Sequence, residues 1–125
     1  MKYILMMNGT KADFDWYTQW SPEELQAQGA FMESFTQDLQ NAGVLVATEA
    51  LGFAEEAKLV LAGSDGTPIT DGVFPEAKEF LAGYWIVDVE SAEQAYALAA
   101  RISAAPGKKG RGNQPIEVRQ VMSGT

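Results

Sequence analysis

The chain opens with a segment that is apolar on both sides of an extended backbone. From Lys2 to Asn8, Tyr3, Leu5 and Met7 point one way and Ile4 and Met6 the other. Strands with this pattern lie between two covered faces of a sheet. After Trp20 the period changes. Leu25, Gln28, Met32, Phe35, Leu39 and Ala42 recur three and four residues apart, with Gln28 as the one polar interruption, while Glu33, Gln37, Asp38 and Gln40 fall on the other side. This predicts an amphipathic helix packed on a sheet. Ser21-Pro22-Glu23-Glu24 supplies its start, with a capping serine, a proline suited to the first turn and a glutamate placed to close a capping box. Gly43 supplies its end.

Strand patterns then return at Val44–Ala50 and Lys58–Ala62, separated by the short excursion Leu51–Glu56. Gly63-Ser64-Asp65-Gly66 predicts a hairpin turn, and Pro68 makes Thr67–Thr70 an edge strand. Asp71-Gly72 predicts a tight turn and Pro75–Phe80 a short charged helix. The most apolar strand follows at Tyr84–Val89, with Tyr84 and Ile86 on one side and Trp85, Val87 and Val89 on the other. Ser91-Ala92-Glu93-Gln94 predicts a second capping box, opening a helix that buries Ala95, Leu98, Ala99 and Ile102. A Pro/Gly-bracketed loop (Pro106–Gln114) leads to a last strand at Ile116–Met122.

The order β-α-β-β-(short β, short helix)-β-α-β predicts one α+β domain over residues 1–125. It is a ferredoxin-like antiparallel sheet with two helices of similar length and caps on one face. Two helices cover one face only, and the second is apolar as well. A wet face of that size exceeds what monomers ordinarily expose. A homodimer packed face to face through its sheets is therefore expected, with Trp85, Val87 and Val89 leading the contact. The alternative is that the aromatic connection Asp13–Trp20 folds over that face within one chain.

Composition narrows the function classes. The chain has 125 residues, 46% of them hydrophobic, no cysteine, no histidine and a formal charge of −8. No stretch approaches the ~20 apolar residues of a membrane span, and the run at Tyr3–Met7 is too short for a signal peptide. The protein is expected to be cytoplasmic, with no membrane association. An acidic domain repels nucleic acid. The basic cluster Lys108, Lys109 and Arg111 sits in a Gly-rich loop and reads as a solvated turn. No nucleic-acid partner is expected.

Thr70-Asp71-Gly72-Val73-Phe74-Pro75-Glu76-Ala77-Lys78-Glu79 resembles the motif, and the helix after it, of the DGPF-domain group of YCII-related proteins. Met1-Lys2-Tyr3, Ser21-Pro22-Glu23-Glu24, Ala42-Gly43-Val44-Leu45, Gly83–Asp88 and Ile116–Val121 extend the resemblance nearly end to end. Val73 departs from it, standing where the motif has proline and releasing a locked φ. The resemblance implies a dimeric α/β barrel, and for some DGPF proteins an association with extracytoplasmic-function sigma factors. It also implies a His–Asp pair in better-understood relatives, which this chain cannot supply.

Without histidine or cysteine, general base chemistry falls to carboxylates. Asp71 is the candidate catalytic residue. Partial enclosure by Phe74, Tyr84 or Trp85 would raise its pKa by desolvation. An Asp before Gly in a turn also bonds its own backbone, and that reading stays open. Phe74, Lys78, Tyr84, Trp85 and Trp16 are the ligand-pocket candidates. Asp13 and Asp15 would share one side of an extended segment, the minimum for a hard cation, but an acidic loop accounts for them, and no metal or cofactor is expected. The reading is a homodimeric small-molecule-binding or regulatory module. Its alternative is a lyase- or hydrolase-type enzyme working through Asp71.

Overall fold

The structure is a computed structural model that describes residues 1–10, 12–13, 17–52, 54–71, 79–107 and 113–122. Its strands are β1 (Lys2–Gly9), β2 (Leu45–Ala50), β3 (Leu59–Ala62), β4 (Pro68–Asp71), β5 (Phe80–Asp88) and β6 (Glu117–Gln120). Its long helices are α1 (Pro22–Asn41) and α2 (Ala92–Ser103), and a single 3₁₀ turn spans Ala54–Glu56. The main sheet has the order β2-β5-β1-β6, with every neighbouring pair antiparallel. β1 and β2, joined through α1, are thus split by β5, and β3 and β4 form a separate two-stranded sheet. The α+β expectation holds. The sheet is open, so one chain does not close the barrel that the resemblance implies.

The local signals act as read, with instructive exceptions. Ser21 Oγ accepts from Glu24 N–H at 3.1 Å while Glu24 Oε1 accepts from Ser21 N–H at 2.8 Å, completing the capping box. Gly43, at φ 72°, turns the chain out of α1 through a left-handed conformation that glycine enters at little cost. At α2 the box is not reciprocal. Ser91 Oγ accepts from Gln94 N–H, but Gln94 Oε1 takes the amide of Glu90 instead. Nor are the helices of similar length: α1 has 20 residues and α2 has 12. Phe80, expected to end a short helix, starts β5, because the antiparallel ladder with β1 continues to the Gly9–Phe80 pair.

One face of the sheet carries the core. Tyr3, Leu5, Trp85, Val87 and Val89 are buried against Phe35 and Leu39 of α1 and Ala95, Ala99 and Ile102 of α2. Phe35 meets the Trp85 ring edge-on at 5.6 Å, and Trp85 Nε1–H donates to Thr36 Oγ1 at 3.2 Å. Each large apolar side chain buried this way contributes roughly 1.5–3 kcal/mol. Ala95 and Ala99 let α2 lie close to the sheet, and Arg101 bonds Asp38 at 2.8 Å, tying the helices together.

This arrangement corrects the expected dimer face. Trp85, Val87 and Val89 lie beneath the helices, because alternation along β5 turns them toward Phe35 and Leu39. The uncovered face carries the other set: Ile4, Met6, Tyr84 and Ile86, in register as Ile4–Ile86 and Met6–Tyr84. These residues are half-buried. The aromatic connection does not cover them in its described part. Trp20 packs on the helix side, where a Cβ on Gly107 would stand 3.5 Å from its ring. Leu25 and Ala42, expected on the buried stripe of α1, are exposed.

Candidate functional site

A cavity of about 630 Å³ opens between one flank of α1 and the end of the main sheet. Its origin is local. Gln28, Met32, Thr36 and Gln40 are spaced four apart and form one row along α1, beside the row that includes Phe35 and Leu39. The neighbouring row drives its rings into the core, whereas this one presents amides, a thioether and a hydroxyl. The sheet recedes from it as well. An irregularity in register at Met7/Asn8 of β1 disturbs its ladder with β5 near this end, as bulges beside sites commonly do.

Thr48, Gly83 and Trp85 form the floor. Thr48 Oγ1 donates to the Tyr84 carbonyl at 2.8 Å, joining β2 to β5 by a side chain in addition to the ladder. Gly83 is required by proximity, since a Cβ there would stand 3.2 Å from the Glu49 carbonyl oxygen. Met7, Asp13, Tyr17, Trp20 and Gln114 close the end nearest α2. Gln114 is fixed through Nε2–H to the Asn8 carbonyl at 2.9 Å.

Trp20 is the most informative wall residue. It is 8% exposed, its ring lies 4.8 Å from that of Tyr17 at a 51° tilt, and its Nε1–H has no acceptor among the described residues. Buried donors nearly always find a partner, so this indole N–H is an exception. Asp13 plays a structural part. Its Oδ2 accepts from Thr10 N–H at 2.8 Å and from Thr10 Oγ1 at 3.1 Å, and the residue lies in a helical turn. The pairing with Asp15 falls outside the described residues. Among the described residues, no group of three or more Asp, Glu, His or Cys is placed to hold a metal ion.

Of the residues expected at a site, Tyr84 and Trp85 border this cavity. Trp85 does so from the helix-covered face, while alternation sends the Tyr84 side chain to the other. Asp71 ends β4 opposite Leu59, and its side chain lies outside the described residues, as do Phe74, Lys78 and Trp16. Asp88 Oδ1 accepts from the Met1 amine at 3.0 Å. Gln28, Thr36, Gln40 and Thr48 were not expected at a site. The one signal for them was Gln28, polar within an apolar stripe.

The family model for the YCII-related domain matches residues 1–111. The chain belongs to the YCII-related family. None of the curated proteins matches it at a significant level. The YCII-related match takes in both helices, β1–β5 and every wall of the cavity except Gln114. With no histidine in the chain, the walls offer amides, hydroxyls, rings and carboxylates. Such a set suits recognition better than proton transfer near neutral pH.

Proposed function

We propose that this YCII-related protein is a homodimeric small-molecule-binding module and that the cavity beside α1 is its ligand site. The observation that carries the reading is the cavity itself, about 630 Å³ and lined by the Tyr17, Trp20 and Trp85 rings together with amides and hydroxyls. Sites for small organic molecules fall in roughly the 300–1,000 Å³ range, mostly apolar with a few placed polar groups. The homodimer rests on surfaces that one chain leaves uncovered: Ile4, Met6 and Ile86 on the open sheet face, and Leu61 and Ile69 on the β3–β4 hairpin, 70% and 57% exposed.

A thermal-shift screen of metabolites against the full chain tests the ligand site. Ala50→Trp fills the cavity from an exposed position at the end of β2 and leaves the core untouched. Compounds that stabilise the protein should lose at least about tenfold in affinity in that variant, equivalent to about 1.4 kcal/mol. Undiminished binding would remove the cavity from consideration. Light scattering at micromolar concentration should give twice the 13.5 kDa chain mass. A catalytic role for Asp71 makes a different demand: Asp71→Asn would leave binding intact and abolish turnover of the bound compound.

A further inference from the structure

We infer that Gln114 sets the length of ligand that the α1 cavity accepts, because its side chain stands as a bar between this cavity and a second one. The inference rests on the α1 cavity being a ligand site and adds the residue that limits what fits it.

The second cavity, about 530 Å³, lies beside the start of β6 and is bordered by Glu79, Asn113, Pro115, Ile116 and Glu117. The described wall residues common to both cavities are Asn8, Asp13 and Gln114. Each is fastened in place. Asn8 Nδ2–H donates to Glu117 Oε1 at 3.1 Å, and the Asp13 carboxylate accepts from Thr10. Gln114 Nε2–H donates to the Asn8 carbonyl at 2.9 Å. Its side chain therefore runs along the shared wall with its far end held at β1.

The three residues differ in what else depends on them. Asn8 belongs to the β1–β5 ladder, where it faces Leu81, and Asp13 closes a turn onto Thr10. Gln114 lies in neither a helix nor a strand. Its backbone is tied independently of its side chain, since its N–H donates to the Ser103 carbonyl at the end of α2 at 3.3 Å. Cutting the side chain back to Cβ thus removes the amide and its stem from the wall and leaves the tie to α2. Gln114 also lies beyond the residues 1–111 that the YCII-related model matches, so this part of the wall comes from outside the matched stretch. A ligand seated beside the Tyr17, Trp20 and Trp85 rings meets Gln114 before it can reach Pro115 and Ile116. Walls that exclude a longer competitor give selectivity without any added attraction.

Calorimetric titration of the full chain with 4-alkylphenols, ethyl through heptyl, reads this limit. Each probe offers a ring for the aromatic walls and a neutral tail of graded length. In the wild-type protein, affinity should rise with each carbon and then stop rising at one member of the series. In Gln114→Ala the rise should continue for at least about two carbons more, each new methylene tightening binding about two- to fourfold. Gln114→Ser serves the same purpose should Gln114→Ala fail to fold. Glu79→Trp, at an exposed position that borders the second cavity and not the first, should return Gln114→Ala to the wild-type limit by filling the space the tail enters. A rise that stops at the same carbon with and without the Gln114 side chain, or that never stops in the wild type, overturns the inference. So does a longer limit that Glu79→Trp leaves in place. If Ala50→Trp blocks the short phenols while Gln114→Ala moves no limit, the inference falls alone and the ligand site stands. If no phenol binds either protein, the inference falls, and the ligand site falls with it only if the metabolite screen is also empty.

Discussion

The main sheet and the β3–β4 hairpin are built from similar apolar strand sequence, yet they bury it very differently. In β1 and β5, Leu5 and Val87 are fully enclosed beneath the helices. In β3 and β4, Leu59, Val60, Leu61 and Ile69 are each about half exposed or more, at 48%, 59%, 70% and 57%. The hairpin is held by its four-pair ladder and by its turn. Isolated two-stranded hairpins are marginal in water, and an apolar, unpaired edge invites association. The contrast separates residues that make the fold from residues that the fold leaves over. It places the stability of the chain in the helix-covered face, and it leaves the hairpin's apolar surface as one on which the proposed dimer rests.

The sharpest way to break the contrast is to attack each region at one side chain. Phe35 is 1% exposed and touches both Phe31 and Trp85. Phe35→Ala should cost about 3–5 kcal/mol through lost burial and the cavity left behind. That corresponds to a melting temperature lower by roughly 10–20 °C, read by calorimetry or circular dichroism. Leu61→Glu should leave monomer stability within about 0.5 kcal/mol, as surface changes do, while converting the proposed dimer to monomer by light scattering. A Leu61→Glu loss comparable to that of Phe35→Ala would show the hairpin to be part of the core, and the contrast would fail.

Much of this division was legible in the sequence, and what was not has physical causes. The period of α1, its Ser21/Glu24 box and the Gly43 exit were local signals, and they act locally. Alternation in β5 correctly sorted Tyr84 and Ile86 from Trp85, Val87 and Val89. It could not say which set meets the helices, because both sides of the strand are apolar and the choice depends on the packing of α1. The wrong set was therefore assigned to the dimer. The cavity was less legible still. Gln28, Thr36 and Gln40 look like solvent-facing helix residues one at a time, and only the strand segments opposite them, Met7 and Asn8 of β1 and Thr48 and Ala50 of β2, turn their row into a wall. Gln28 within the apolar stripe was the single hint. The family resemblance drew attention to Asp71 and the segment after it. The described part of the site is instead assembled from residues far apart in the chain, from Met7 to Gln114.

The smallest expected effect isolates what holds the hairpin. At its turn, Asp65 Oδ1 accepts from Thr67 Oγ1–H at 2.6 Å and from Thr67 N–H at 3.0 Å, and Gly66 adopts φ 86°. These donors, the Thr67 hydroxyl foremost, favour the ionised carboxylate and hold the Asp65 pKa below its ordinary value. Because the folded pKa is the lower one, the contribution is present above the unfolded carboxylate pKa and is lost as pH falls through the folded pKa. The carboxylate is fully exposed, so water screens the effect, and it should register locally without moving the global melting temperature. Carboxyl chemical shifts followed by NMR should place the Asp65 midpoint below those of unpaired exposed carboxylates. Thr67→Val should move it back up. Amide exchange at Val60 and Ile69 should quicken below that midpoint while Leu5 and Val87 stay protected. If the hairpin and the main sheet lose protection together as the pH falls, the two regions unfold as one unit, and the leftover surface of the hairpin cannot be treated apart from the core.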